Sequence, residues 1–222
     1  MIEYHNEDCM IGMARYPDKH FDLAIVDPPY GININHNMGR RKGDKASEYK
    51  KVRWDNEIPT EKYFSELERV SKHRIIWGAN YYQMPPTKCF IVWRKPQISE
   101  AMSFSMLEYA WSSFESTAKE WIGMSNEKDR IHPTQKPVAL YKWLLTNYAK
   151  PGDLILDTHV GSASSLIACH DLGFDAVGFE LDEDYYKASK QLLKDHMAQM
   201  RIEDMSNHIS GEDDKPEQIT LW

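Results

Sequence analysis

Cysteine is scarce. Cys9, Cys89 and Cys169 are the only three in 222 residues, widely spaced and without a CxxC pair. That excludes a paired-cysteine zinc framework and suits a reducing compartment. No apolar run approaches the roughly 20 residues that span a bilayer, and no signal-peptide pattern opens the chain. The expectation is a soluble intracellular protein with no membrane partner and no metal. An excess of basic charge is missing too: 27 Lys+Arg stand against 34 Asp+Glu, a net charge of -7. A uniformly basic nucleic-acid binder is thereby excluded, a local basic patch is not. GxGxxG is absent, which disfavours a dinucleotide enzyme, and no Gly-Lys-Ser/Thr exists to make a P-loop. There is no internal repeat. What is present is 41% hydrophobic residues, enough to bury a core without a disulfide or metal staple.

The apolar pattern alternates between strand and helix. Strands are expected at Ile2–Tyr4, Phe21–Val26, Arg74–Trp77, Cys89–Trp93, Phe104–Trp111, Leu154–Asp157 and Asp175–Leu181. Helices are expected at Asp8–Arg15, with Met10, Met13 and Ala14 inward, and at Thr60–Ser71, Pro137–Tyr148, Ser164–Leu172 and Asp184 to about Ile202. Such alternation implies one α/β domain whose mostly parallel sheet is covered on both faces. Residues 31–57 lack hydrophobic periodicity and read as a long loop, a length usually functional or disordered. From Glu203 to Glu217 six acidic residues face one lysine, which reads as a disordered linker.

Two segments carry chemistry. Asp157-Thr158-His159-Val160-Gly161-Ser162-Ala163-Ser164 follows a strand and opens a helix. Its small residues allow close backbone approach to a ligand, and Glu180, ending the next strand, suits the two hydroxyls of a ribose. The other segment is Asp27-Pro28-Pro29-Tyr30, where two prolines stop an apolar strand. It offers the Asp27 carboxylate and the Pro28 carbonyl as acceptors for both hydrogens of an exocyclic amino group, with Tyr30 to stack on the ring.

These motifs, with Phe179-Glu180-Leu181-Asp182, His132-Pro133-Thr134-Gln135-Lys136-Pro137 and Asn6-Glu7-Asp8-Cys9, resemble those of the S-adenosylmethionine-dependent DNA amino-methyltransferases. The catalytic motif precedes the cofactor motif, the order of the β-class, and the likeness runs to about residue 195. It implies a Rossmann-like, circularly permuted methyltransferase fold over residues 1–202. Strand 175–181 should then lie beside strand 2–4. By resemblance, Asp8 and Cys9 lie beside the cofactor's adenine, and Thr134, Gln135 and Lys136 at its methionine end. Asp27, Asp157, His159, Gly161, Ser162, Ala163, Ser164, Glu180 and Leu181 complete that set. The implied reaction is direct methyl transfer to a flipped adenine amino group, Asp27 stabilising the cationic nitrogen. Carbon methylation would need a cysteine nucleophile after a proline, and no Pro-Cys occurs. A leading Asp favours adenine over cytosine. Cytosine-N4 transfer and a catalytically inactive DNA- or clamp-binding accessory protein stay open as alternatives.

The chain departs from the family where Thr158, His159 and Ala163 replace Pro, Phe and Gly, implying a modest cofactor affinity, with His159 a half-exposed packing residue. Arg40, Arg41, Lys42, Lys45, Lys50, Lys51 and Arg53 against Asp44 and Glu48 give residues 39–53 a charge of +5, suited to DNA phosphates in a mobile loop. Only 17 residues separate Phe114 from His132, too few for a separate target-recognition domain. A homodimer follows by analogy. Asn80, after a strand, is a further candidate. Residues 218–222, with Gln218, Leu221 and Trp222, resemble the peptide by which proteins bind bacterial sliding clamps, the setting being a bacterial or phage-infected cytoplasm.

Overall fold

Phe21, Leu23, Ala24, Ile25 and Val26 are all buried, a run that only a strand covered on both faces tolerates. They form β2 (Phe21–Val26). In the computed structural model, which describes residues 1–32, 55, 57–99, 105–125, 131–132 and 134–210 (201–210 by backbone alone), β2 lies inside an eight-stranded sheet. The other strands are β1 (Ile2–Asn6), β3 (Ser71–Trp77), β4 (Phe90–Arg94), β5 (Leu107–Ser112), β6 (Lys119–Ile122), β7 (Leu154–Asp157) and β8 (Asp175–Glu180). Their order is β1-β8-β7-β2-β3-β5-β4-β6. The first five run parallel, and β5 is antiparallel to both β3 and β4. This is the expected α/β class.

Alternate residues along each strand feed two cores. Leu23, Ile25, Ile75, Trp77 and Ile155 pack with Leu140 and Leu144 of α3 (Val138–Tyr148), Leu166 of α4 (Ser164–Asp171) and Leu193 of α5 (Glu183–Ser210). Ala24, Val26, Ile76, Leu156 and Val177 pack with Met13 of α1 (Cys9–Met13) and Tyr63, Leu67 and Val70 of α2 (Glu61–Val70). The expected neighbours from opposite ends of the chain do pair: Ile2 faces Ala176 and Asn6 faces Glu180.

The differences from the sequence reading have local causes. Helix α1 is one turn long, so Ala14 is exposed as its C-cap instead of inward, and Gly12 is buried in its place. A Cβ on Gly12 would stand 2.3 Å from the Phe179 ring, so glycine lets the helix lie on β8. Strand β6 was not foreseen; four residues alternating between half-buried and exposed give a weak signal. Helix α5 runs to Ser210, which corrects the disordered linker drawn for 203–217 over its first eight residues. No glycine or proline interrupts the chain from Glu183 until Gly211, so nothing stops the helix at Ile202. Residues 211–222, with the clamp-like peptide, lie outside the described residues. So do 33–54, with every basic residue assigned to DNA.

Gly12→Ala should lower stability by about 1–3 kcal/mol, the cost of overpacking. Thermal unfolding measures it, and an unchanged Tm would show that α1 can lift off β8 freely.

Candidate active site

The carboxyl ends of the parallel strands converge on one edge of the sheet, where α/β folds place ligands. Asp157 closes β7, Glu180 closes β8, and Asp27 follows β2 directly. The turn after β7 is built on Asp157, which is buried and accepts the His159 amide (3.0 Å) and the Ser165 hydroxyl (2.5 Å). Burial, only partly offset by those two bonds, pushes its carboxyl up to about 7. Gly161 takes a left-handed φ of 55°, and its amide donates to Glu180 Oε2 at 2.9 Å. The Asp182 amide holds Oε1 at 2.8 Å. Glu180 is thus fixed by two backbone donors, each oxygen keeping a lone pair, while burial raises its pKa. Asn6 ties β1 to the same corner, donating to the Glu180 and Leu181 carbonyls at 2.8 and 3.2 Å. Gly178 permits the close pass of the turn over β8, since a Cβ there would meet Val160 at 2.6 Å.

Between these elements lies a cavity of about 680 Å³. Asp8, Cys9, Asp27, Pro29, Thr134, Gln135, Lys136, His159, Gly161, Ser162, Glu180 and Leu181 line it, so most of the sequence-derived site residues meet there. Asp157, Ala163 and Ser164 do not; they are buried behind the turn. Ala163 carries a left-handed φ of 64° and sits in the α3–α4 core. Its methyl group therefore faces packing, not the cavity, which removes the steric reason for a modest cofactor affinity. Pro28 and Tyr30 also lie outside the lining. Asn80 is exposed, in the short 3-10 turn Ala79–Tyr81.

Around Asp27 the structure adds partners. Tyr30 Oη donates to Asp27 Oδ1 at 2.6 Å, and Lys136 Nζ donates to Oδ2 at 2.5 Å. The Lys136 ammonium also reaches Tyr30 Oη at 3.0 Å and Glu108 Oε2 at 3.1 Å, and Lys95 pairs with Glu108 Oε1. Burial raises the Asp27 pKa, and Lys136 opposes that shift. Tyr30 stacks on Tyr81, ring centroids 5.0 Å apart. Gly78, at φ 68°, makes room for it: a Cβ there would stand 2.1 Å from the Tyr30 ring. The Pro28 carbonyl already accepts from Tyr82 Oη at 2.8 Å, a hydroxyl it shares with the Pro29 carbonyl. Asp55 Oδ1 accepts the Tyr30 and Gly31 amides at 2.8 and 3.0 Å, which ties residue 55 to the end of the Asp27–Tyr30 motif.

His159 is half-buried, as expected. Its Nδ1 lies 2.9 Å from Thr158 Oγ1, which in turn lies 2.6 Å from Tyr63 Oη. Burial depresses its pKa to about 4, so it adds no positive charge to the cavity at neutral pH. Sequence reasoning missed Glu108, Lys95 and Asp55. Glu108 carried a faint signal, a lone carboxylate inside an otherwise apolar strand. The other two reach the site through tertiary contacts that no spacing announces. Apart from the cavity, His170, Asp171 and His196 bring their ligand atoms within 4.8 Å of one another. Lys142 pairs with the same carboxylate, so the group reads as an ionic lock joining α3, α4 and α5.

A family model described as DNA methylase, of the N6/N4 kind, matches residues 83–191. Over that stretch, about half of its length, the chain is similar to this family, which supports an amino-methyltransferase of the N6/N4 kind. The YubD protein of Escherichia coli (strain K12), whose name includes the word methylase, is 25% identical over 213 residues, 87% of this chain and 90% of that protein. The Type II methyltransferase M.HpaI of Haemophilus parainfluenzae is 34% identical over 68 residues, 31% of this chain and 22% of its own length. Among solved structures, the M1.HpyAVI–SAM complex superposes with a TM-score of 0.59 at 20% identity, covering 86% of this chain and 99% of that one. The cytosine-N4-specific PvuII DNA methyltransferase gives 0.59 at 11% identity, covering 88% and 90%. At these identities the structures establish the fold alone, a mostly parallel, Rossmann-like α/β sheet.

The His159 pKa sets a test. Below pH 6.5 the unfolded chain binds a proton that the folded chain refuses until about pH 4, so stability is lost as pH falls through that window. His159→Phe removes this proton, and its Tm should fall less than that of the wild type between pH 6.5 and 4. Equal declines would show that His159 protonates freely in the folded chain.

Proposed function

We propose that this chain transfers the methyl group of S-adenosylmethionine to the amino nitrogen of a flipped adenine in DNA. One observation carries the reading: Asp27 and the Gly161–Glu180 corner line the same cavity. The lining also fits the cofactor's charge. Glu7, Asp8, Asp27, Glu180 and Asp182 surround the space, against the single ammonium of Lys136, and an acid-rich wall favours a sulfonium cation. Its volume falls in the range of small-molecule sites.

The cofactor, when bound, supplies an already activated methyl group, so the protein's part is positioning and electrostatics. Glu180, immobilised by two amides, takes the ribose hydroxyls, and Asp8 with Cys9 borders the adenine ring. Thr134 and Gln135 border the methionine end. Asp27 accepts an amino hydrogen of the substrate and stabilises the nitrogen as it turns cationic. The Pro28 carbonyl has one lone pair left for the second hydrogen, and Tyr30 orients Asp27 through its hydroxyl. Arg40, Arg41, Lys42, Lys45, Lys50, Lys51 and Arg53 would hold DNA phosphates. The leading Asp27 supports adenine. Cytosine-N4 transfer is the second reading, supported by the likeness to the PvuII enzyme. A homodimer, and a sliding clamp taken through Gln218, Leu221 and Trp222, belong to the same reading.

Purified protein with labelled S-adenosylmethionine and unmethylated DNA tests it, by nucleoside analysis. Label is expected in N6-methyladenine, and Asp27→Ala should cut the rate by about 100-fold or more, the usual loss of a charge-stabilising group. Label in N4-methylcytosine would transfer the conclusion to the second reading. No label in any DNA, with no cofactor binding, would overturn both and leave a binding protein.

A further inference from the structure

Four side chains of alternating charge form a line beside the cavity: Lys95 after β4, Glu108 on β5, Lys136 before α3 and Asp27 after β2. The two ammonium groups are nearly sealed from solvent, the Lys136 side chain 2% exposed and that of Lys95 10%. Buried charges persist only when paired, and this line sums to zero. An ammonium has three donors. Two of those of Lys136 go to Asp27 and Tyr30, and Glu108 Oε2 lies 3.1 Å from the same nitrogen as an ion pair, with no hydrogen bond of its own.

This arrangement weakens Asp27 for its role, because each of its oxygens already accepts one bond and keeps a single lone pair for an incoming amino group. A carboxylate tightly paired with an ammonium is also a poorer stabiliser of a second cation. Glu108 offers the way out, since its Oε2 already lies 3.1 Å from the same Nζ. We infer that Glu108 is a positioning residue, competing with Asp27 for the Lys136 ammonium and drawing it away when the amino group arrives. Lys95 fixes Glu108 from the other side and offsets its charge, so that both carboxylates stay ionised around one shared ammonium. The inference rests on the reading of Asp27 as the group that receives the amino nitrogen.

The surroundings of Asp27 allow this exchange to be read by titration. Facing it are Lys136 and Glu108, the buried Asp157 of β7, and the phenols of Tyr30, Tyr63, Tyr82 and Tyr141. Burial raises all four phenols, so they stay neutral. Glu108 itself is pushed up by burial, but Lys136 and Lys95 outweigh that and hold it below the usual range.

The test is carbon-13 titration of the aspartate carboxyls, with Asp27 assigned from its absence in Asp27→Asn, beside steady-state methyl transfer. In Glu108→Gln the Asp27 midpoint should fall by about one pH unit, as a neighbouring negative charge disappears. Its kcat should fall about tenfold or more, with KM for DNA and cofactor within about twofold, because Lys136 stays on Asp27. Lys95→Met/Glu108→Gln keeps the buried charge balanced, guarding against loss of the fold. It should keep the kcat loss and move the midpoint the same way by less. A midpoint that does not move, or a kcat equal to wild type, overturns the inference. The titration needs no substrate, so it decides this coupling even if the wild-type chain proves inactive on DNA.

Discussion

The contact between Lys136 and Asp27 is the constraint around which the rest of the site is arranged. It joins the segment that leads into α3 to the end of β2, the two sides of the cavity wall. Because the ammonium is buried, neither partner can be removed without leaving an uncompensated charge, a loss that typically costs about 3–5 kcal/mol. Glu108, Lys95 and Tyr30 are then required as neighbours, and β4 and β5 must present them at the right height. The antiparallel β5 does this: its pairing with β4 sets Glu108 opposite Trp93, and the Lys95 amide bonds the Met106 carbonyl. The non-parallel part of the sheet is thus fitted to the electrostatics of the parallel part.

A parallel sheet sets spatial order and leaves sequence order free. Here β7 and β8 come last among the described strands and still lie between β1 and β2 in the sheet. Residues from the first ten positions and from beyond position 180 meet at one corner, stitched by Asn6 to the Glu180 and Leu181 carbonyls. The motif order seen in the sequence is accommodated because Asp27, Asp157 and Glu180 each stand at the carboxyl end of a separate strand.

What could be read beforehand followed from periodicity and from motifs. Long apolar runs such as Phe21–Val26 and Leu154–Asp157 announced strands buried on both faces, and the two prolines after Asp27 marked where one of them stops. Asp27 and Glu180 were legible because strand ends followed by turn residues are few. Glu108 and Lys95 were not, since a charged residue in a strand ordinarily faces water and only the partner strand reveals otherwise. Ala14 and Gly12 exchanged roles because a single helical turn is too short for a 3.6-residue period to fix its phase. Ala163 looked like a contact for a ligand, whereas its left-handed backbone turns the methyl group into the core. The extra length of α5 was missed because acidic residues were read as disorder, although no helix breaker separates them from the turns before.

The pairing of β1 with β8 also has a consequence in time. Among the described strands β1 is made first, yet its neighbour in the sheet, β8, is the last of them made. Until residue 180 leaves the ribosome, β1 has no ladder to join, Asn6 has no carbonyls to bind, and the corner that Glu180 completes does not exist. Such late, sequence-distant pairing slows folding. It also makes the cavity an all-or-none feature: an incomplete chain presents Asp27 without the wall that would bring a cofactor to it.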